Sequence, residues 1–215
     1  MELKCLADEL DILNCVDPMT ESPAFITLKD HKPDFKNHPK LRLINPAKSD
    51  LGRVSKYILD KINIQIRDQT HVNQWRNSTD AISWFKRIPE KSRKSFISFD
   101  IVDIYPSISE SLLDQSIELA KQYSTISKRN IRVIKHVRKS FLFYDNHTWV
   151  KRGSSNTFDV TMDSFDEAEI CELVGLFIFP KLNDKFGNDI GLFRDDGLAV
   201  LNAKSACRLN DKTRK

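Results

Sequence analysis

The chain is predicted to be an α+β protein in which a central antiparallel sheet is flanked by helices. Three observations lead there. Strands and helices alternate along the 215 residues, but a hairpin interrupts the order, which argues against a doubly wound parallel sheet. Two short apolar strands late in the chain fold about Asp195-Asp196-Gly197, residues that supply turn geometry. Helical stripes of apolar residues lie between the strands and can cover a sheet.

The elements follow in order. Leu3, Leu6, Leu10, Leu13 and Val16 fall at helical spacing, so residues 1–16 are predicted to be a helix that Asp17-Pro18 ends. Residues 24–29 read as a strand, 31–39 as a polar turn and 41–45 as the return strand. This hairpin is basic and carries Lys29 and Arg42 on its arms. A helix is expected over 54–67, and a second one is capped by Ser78 and runs through Trp84 and Phe85. Residues 96–101 form a strand that delivers Asp100. Two helices are predicted over 109–123 and 128–143, and Trp149 with Val150 reads as a short strand. Residues 166–182 make a long apolar helix. Pro180 removes its bond to the carbonyl of Leu176 and either kinks this helix or marks an early stop. Strands at 190–193 and 198–201 enclose the paired aspartates, and the polar residues 206–215 are expected to fray.

Composition bounds the function. Hydrophobic content of 40% with 30% charged residues is that of a globular protein with a real core. No apolar run approaches the ~20 residues that span a bilayer, and Met1-Glu2-Leu3-Lys4-Cys5 lacks the layout of a signal peptide. Cys5, Cys15, Cys171 and Cys207 are scattered without a C-x-x-C, which reads as idle thiols in a reducing compartment. Charge is sorted along the chain. Residues 29–94 hold 16 Lys/Arg against 7 Asp/Glu, and residues 159–200 hold 3 against 10. The basic part suits a phosphate backbone or a triphosphate, and the acidic part suits metal ions.

Two carboxylate sites carry the chemistry. Ser98-Phe99-Asp100-Ile101-Val102-Asp103 and Phe193-Arg194-Asp195-Asp196-Gly197 each place Asp at the end or turn of a short apolar strand. Converging carboxylates repel one another unless divalent cations sit between them. Mg²⁺ takes one or two protein carboxylates and completes its shell with water and phosphate oxygens. Two such ions about 4 Å apart form the clamp for in-line phosphoryl transfer. The pair of sites therefore reads as a nucleotidyl-transfer centre.

Four blocks in this order resemble the fingers and palm of a retroelement reverse transcriptase, over about residues 22–201. The resemblance implies a right-hand polymerase fold, an N-terminal helical segment at 1–21, a fingers-like basic region at 22–94, a palm-like catalytic region at 95–204 and a polar tail at 205–215. Phe25-Ile26-Thr27-Leu28-Lys29-Asp30-His31-Lys32-Pro33 with Leu41-Arg42-Leu43-Ile44-Asn45-Pro46 is similar to the fingers hairpin, which implies that Lys29 and Arg42 bind the incoming triphosphate. Asp100, Asp195 and Asp196 match the catalytic acids, and with the carbonyl of Ile101 they are implied to hold two Mg²⁺ ions, or Mn²⁺. Tyr105 matches the bulky residue under the sugar that favours deoxynucleotides. Asp103 is a candidate for lining the triphosphate pocket.

Thr161-Met162-Asp163-Ser164-Phe165-Asp166-Glu167 occupies the place of the template-side loop, with Ser164 toward the nucleotide. Asp163 stands where the family has Gly, so backbone strain is expected there. Arg194 is unusual at its position, and strand alternation predicts that it points away from the carboxylates. Little sequence follows the Asp-Asp hairpin, so a thumb is expected to be missing.

The implied function is an RNA-directed DNA polymerase that adds dNTPs to a DNA primer on an RNA template, in nucleus or cytoplasm; Asp163 and the missing thumb leave a truncated or inactive copy open. The alternative is a non-catalytic nucleic-acid-binding relic that keeps the basic surface. An unrelated two-metal nuclease would need further Glu or His ligands near Asp100, and no motif places His71 or His136 there.

Overall fold

The computed structural model describes residues 23–30, 35–44, 50–139, 142–145, 147–149, 158, 160–186 and 189–202. The helix predicted at 1–16 and the tail at 205–215 lie outside the described residues.

The first element is a hairpin of β1 (Phe25–Leu28) and β2 (Leu41–Ile44), antiparallel with Thr27 opposite Arg42. The ladder extends one step, as the Lys29 N–H donates to the Lys40 carbonyl at 2.9 Å. Helix α1 (Asp50–Thr70) is longer than predicted. Its buried residues Leu51, Ser55, Leu59, Ile62, Asn63 and Ile66 recur at three- and four-residue spacing, one inward stripe.

Helix α2 (Ser78–Arg87) begins one residue after its true cap. Ser78 was the expected N-cap, but Asn77 takes that role: its backbone is extended and its Oδ1 accepts from the Asp80 N–H at 3.0 Å. Both side chains can cap, and the extended conformation at Asn77 decides between them.

Strand β3 (Lys94–Asp100) is followed by the single turn α3 (Ile104–Ser107), then α4 (Glu110–Ala120) and α5 (Lys128–Val137). Ser109 and Ser127 cap the last two by accepting from Leu112 and Asn130 N–H groups. Helix α5 stops at Val137, six residues short of the predicted end. Arg138 there turns its side chain inward to a buried acid, and the aromatic run beyond forms β4 (Leu142–Tyr144), paired with β5 (His147–Trp149).

Helix α6 (Glu167–Phe186) runs straight through Pro180 rather than stopping at it. Phe179 is fully buried beside the proline, and Leu182 packs against the same cluster, so packing offsets the lost backbone bond.

Strands β6 (Ile190–Phe193) and β7 (Asp196–Asn202) complete a three-stranded antiparallel sheet in the order β3-β7-β6. Alternation sorts its two faces. Val200 packs with Trp75, Trp84 and Ile88 on one face, while Ala199, Leu192 and Phe99 pack with Phe179 of α6 on the other. Two glycines admit rings into this packing. A Cβ on Gly191 would lie 1.9 Å from a Trp75 ring carbon.

The main core is helical. Leu59, Ile62 and Ile66 of α1 meet Leu113 and Ile117 of α4, Ile134 of α5, and Ile170 and Leu173 of α6. Each such side chain stabilises the fold by roughly 1.5–3 kcal/mol relative to exposure, so the helical layer anchors the small sheet. A buried polar knot sits at the start of α6. The Asp166 carboxylate accepts from Arg138 Nη2, Ser55 Oγ and Ser164 Oγ, and both Arg138 and Asp166 are almost fully buried.

Candidate active site

Strand β3 ends on Asp100, and the register of β3 with β7 sets Asp100 directly opposite Asp196. Opposed residues of an antiparallel pair share a face, with Cβ atoms about 4.5–5.5 Å apart. Asp195 precedes Asp196 in the two-residue turn that joins β6 to β7, and its carbonyl accepts from the Ile101 N–H at 2.9 Å. One end of the sheet thus gathers Asp100, Ile101, Asp195 and Asp196 from segments about 95 residues apart in sequence.

The turn differs from the predicted one. Its residues are Arg194 and Asp195, and Arg194 takes the positive φ of 55°. Asp196 and Gly197 belong to β7. Gly197 serves close packing instead, since the Phe99 ring lies across the position its Cβ would fill.

Electrostatics register the crowding of acids. The Asp196 carboxyl is raised above its ordinary value, first by partial burial and then by the negative charges of Asp195 and Asp100. Among the described residues no three or more His, Cys, Asp or Glu side chains are grouped so that they could hold a metal ion. The carboxylates of Asp100 and Asp196, opposed across β3 and β7, number the one or two that Mg²⁺ takes from a protein.

Tyr105 lies on α3, against α6. It is half-buried against the helical core, and its phenol is pushed far up, first by burial. Its hydroxyl is hydrogen-bonded to Cys171, a buried thiol of α6 that burial pushes up to about 12.

Asp195 and Arg194 both act on Tyr105 and Cys171, with opposite signs. Arg194 also lowers the Glu167 carboxyl, which burial raises overall. The Arg194 guanidinium lies over the Phe193 ring, 5.4 Å from its centroid. The left-handed backbone of Arg194 in the turn breaks the strand alternation.

The loop before α6 holds the strain that was expected. Asp163 has φ 74°, a conformation that favours glycine, and its N–H donates to Glu167 Oε2 at 2.5 Å. Ser164 is engaged through its hydroxyl with Asp166 and through its N–H with the Thr161 carbonyl. Asp103, also at positive φ, is exposed and occupies the N-cap position of the short α3 without a capping bond from its side chain.

Lys29 and Arg42 stand apart. Both sit on the β1–β2 hairpin, Arg42 exposed, and no extended packing joins that hairpin to the three-stranded sheet among the described residues. Sequence reasoning read Cys171 as an idle thiol and missed the Arg138–Asp166 pair. Helical spacing places Cys171 on the inward face of α6, but its partner Tyr105 is 66 residues away and no local pattern links them.

No known protein family matches this sequence, and no curated protein matches it. A solved structure does: apo telomerase from Candida tropicalis, truncated from the C-terminal domain, has a TM-score of 0.56 and 13% identity. The match covers 100% of this chain and 51% of that one, so the chain spans about half the length of that structure. At this identity the likeness shows the fold alone, an arrangement of antiparallel sheet and flanking helices. Among the described residues no helix is long and apolar enough to cross a membrane.

Proposed function

We propose that this chain is the fingers and palm of a retroelement RNA-directed DNA polymerase. One observation carries the reading. On a fold shared with a telomerase structure, Asp100 and Asp196 face each other across two strands, with Asp195 in the adjoining turn.

In this reading Asp100, Asp195, Asp196 and the Ile101 carbonyl hold two Mg²⁺ ions. When bound, the ions supply an acidified primer hydroxyl and charge neutralisation at the transferred phosphoryl group. The residues of the chain do the rest. Asp100 and Asp196 concentrate negative charge on the open end of the sheet. Tyr105, fixed by Cys171 and the core, fills the space under the sugar and disfavours a 2′-hydroxyl. Lys29 and Arg42 balance triphosphate charge when the hairpin meets a bound dNTP, and Ser164 lies beside the nucleotide.

A second reading is a nucleic-acid binder without catalysis. It is favoured by Asp163 and Glu167, which set carboxylates on the loop where template would pass. A labelled DNA primer on an RNA template, with dNTPs and Mg²⁺, separates the two. Metal-dependent extension supports the polymerase, whereas salt-sensitive binding without extension supports the binder.

A further inference from the structure

Helix α5 carries charge of one sign only. Residues 128–139 hold six Lys/Arg and a His, with no Asp or Glu. Its buried residues are Val133 and Ile134, so the cations other than the buried Arg138 are sorted to the other faces. Lys135 and Arg138 serve the fold. Lys135 pairs with Asp114 and Glu110 of α4, and Arg138 pairs with the buried Asp166. Lys128, Arg129 and Arg132 are exposed.

Their placement works against the helix. The first turn of α5 contains Lys128 and Arg129 and no acid, where the helix field favours negative charge. The first turns of α2, α4 and α6 carry Asp80, Glu110, and Glu167 with Glu169. Local stability therefore does not account for Lys128 and Arg129.

The patch extends onto α1. The two helices pack through Leu51, Val54 and Ile58 against Val133 and Val137. By the helical repeat, Tyr57 and Lys61 of α1 and Arg129 and Arg132 of α5 flank that seam on the sides turned from the core. Tyr57 is 61% exposed, and the Lys61 ammonium lies 4.2 Å from its ring centroid. The result is a two-helix face of cations around an open aromatic ring, built on elements separate from the three-stranded sheet.

We infer that the outer face of α1 and α5 is a sequence-independent docking surface for the phosphate backbone of a nucleic acid, with Lys61, Lys128, Arg129 and Arg132 as its phosphate contacts and Tyr57 as a stacking platform. Charge complementarity and the exposed ring select this partner. The choice of nucleic acid over another polyanion rests on the polymerase reading, while the surface itself does not depend on catalysis.

The test is fluorescence anisotropy of a labelled 20-nucleotide RNA across a salt series, using the full chain. The variant combines Lys128→Gln, Arg129→Gln and Arg132→Gln. Its control removes the same charge outside both α5 and the basic part of the chain, through Lys121→Gln, Lys181→Gln and Lys185→Gln. The α5 variant is expected to bind roughly 10-fold or more weakly at moderate salt, with the log–log salt slope reduced by about 2, while the control changes little. Its thermal melting should hold or rise, because two cations leave the first turn of a helix, so weakened binding cannot be assigned to unfolding.

Equal weakening in both variants would reduce the effect to net charge and overturn the inference. Absence of RNA binding in the native chain would do the same, as would dependence of phosphatidylserine-vesicle binding, but not RNA binding, on the α5 cations. If Asp195→Asn binds RNA normally and the native chain extends no primer, the surface stands and only the polymerase reading falls.

Discussion

Gly197 lies directly opposite Phe99 across β7 and β3, and a Cβ on Gly197 would come within 2.0 Å of the Phe99 ring. The ring occupies the space that a side chain would need, one residue from Asp196 on one strand and from Asp100 on the other. Gly197→Ala should therefore displace Phe99 and cost about 1–3 kcal/mol by overpacking. Urea denaturation measures it, and Gly197→Ala combined with Phe99→Leu should recover part of the loss.

The Arg138–Asp166 pair ties the end of α5 to the start of α6 in the interior. Either Arg138→Met or Asp166→Asn alone leaves a buried group uncompensated and should cost about 3–5 kcal/mol. The double change Arg138→Met with Asp166→Leu should be markedly less destabilising than the sum of the single changes. A thermodynamic cycle by chemical denaturation reads that coupling directly.

Asp163 holds a left-handed backbone at φ 74°. Asp163→Gly should remove the strain at the cost of some unfolded-state entropy, a net gain of about 1 kcal/mol or less. A rise in melting temperature checks it. On the proposed polymerase reading the substitution also clears a carboxylate from the path of the template, so RNA affinity should increase with it.

Asp196 gives the chain a pH dependence of defined sign. Its carboxyl is raised in the folded chain, so folding binds that proton more tightly than the unfolded state does. The contribution is fully present below the ordinary carboxylate value and is lost as pH climbs from there through the raised value. Without metal, Asp196→Asn should lose less stability than the native chain across that window, an effect kept small by solvent because Asp196 is exposed. Mg²⁺ should raise the melting temperature of the native chain more than that of the variant.

Much of this was legible in the residues. The apolar runs ending on Asp100 and flanking Asp195-Asp196 announced two strands that meet, because alternation and turn chemistry are local signals. The positive φ at Asp163 was likewise readable from where a glycine is otherwise expected. Other features depend on partners far away in the chain. Arg138 ends α5 early because Asp166 draws it inward, and Cys171 joins the site only through Tyr105. Arg194, not Gly197, takes the left-handed turn because Gly197 is needed beneath Phe99, a tertiary demand that outranks local turn preference.

The most direct measurement is extension of a labelled DNA primer on an RNA template with dNTPs and Mg²⁺ or Mn²⁺, with Asp195→Asn run beside the native chain. The account predicts metal-dependent extension by the native chain and its loss in Asp195→Asn, with folding unchanged. Extension that survives Asp195→Asn, or no extension from a folded native chain and from Asp163→Gly alike, would contradict a catalytic role for the paired aspartates.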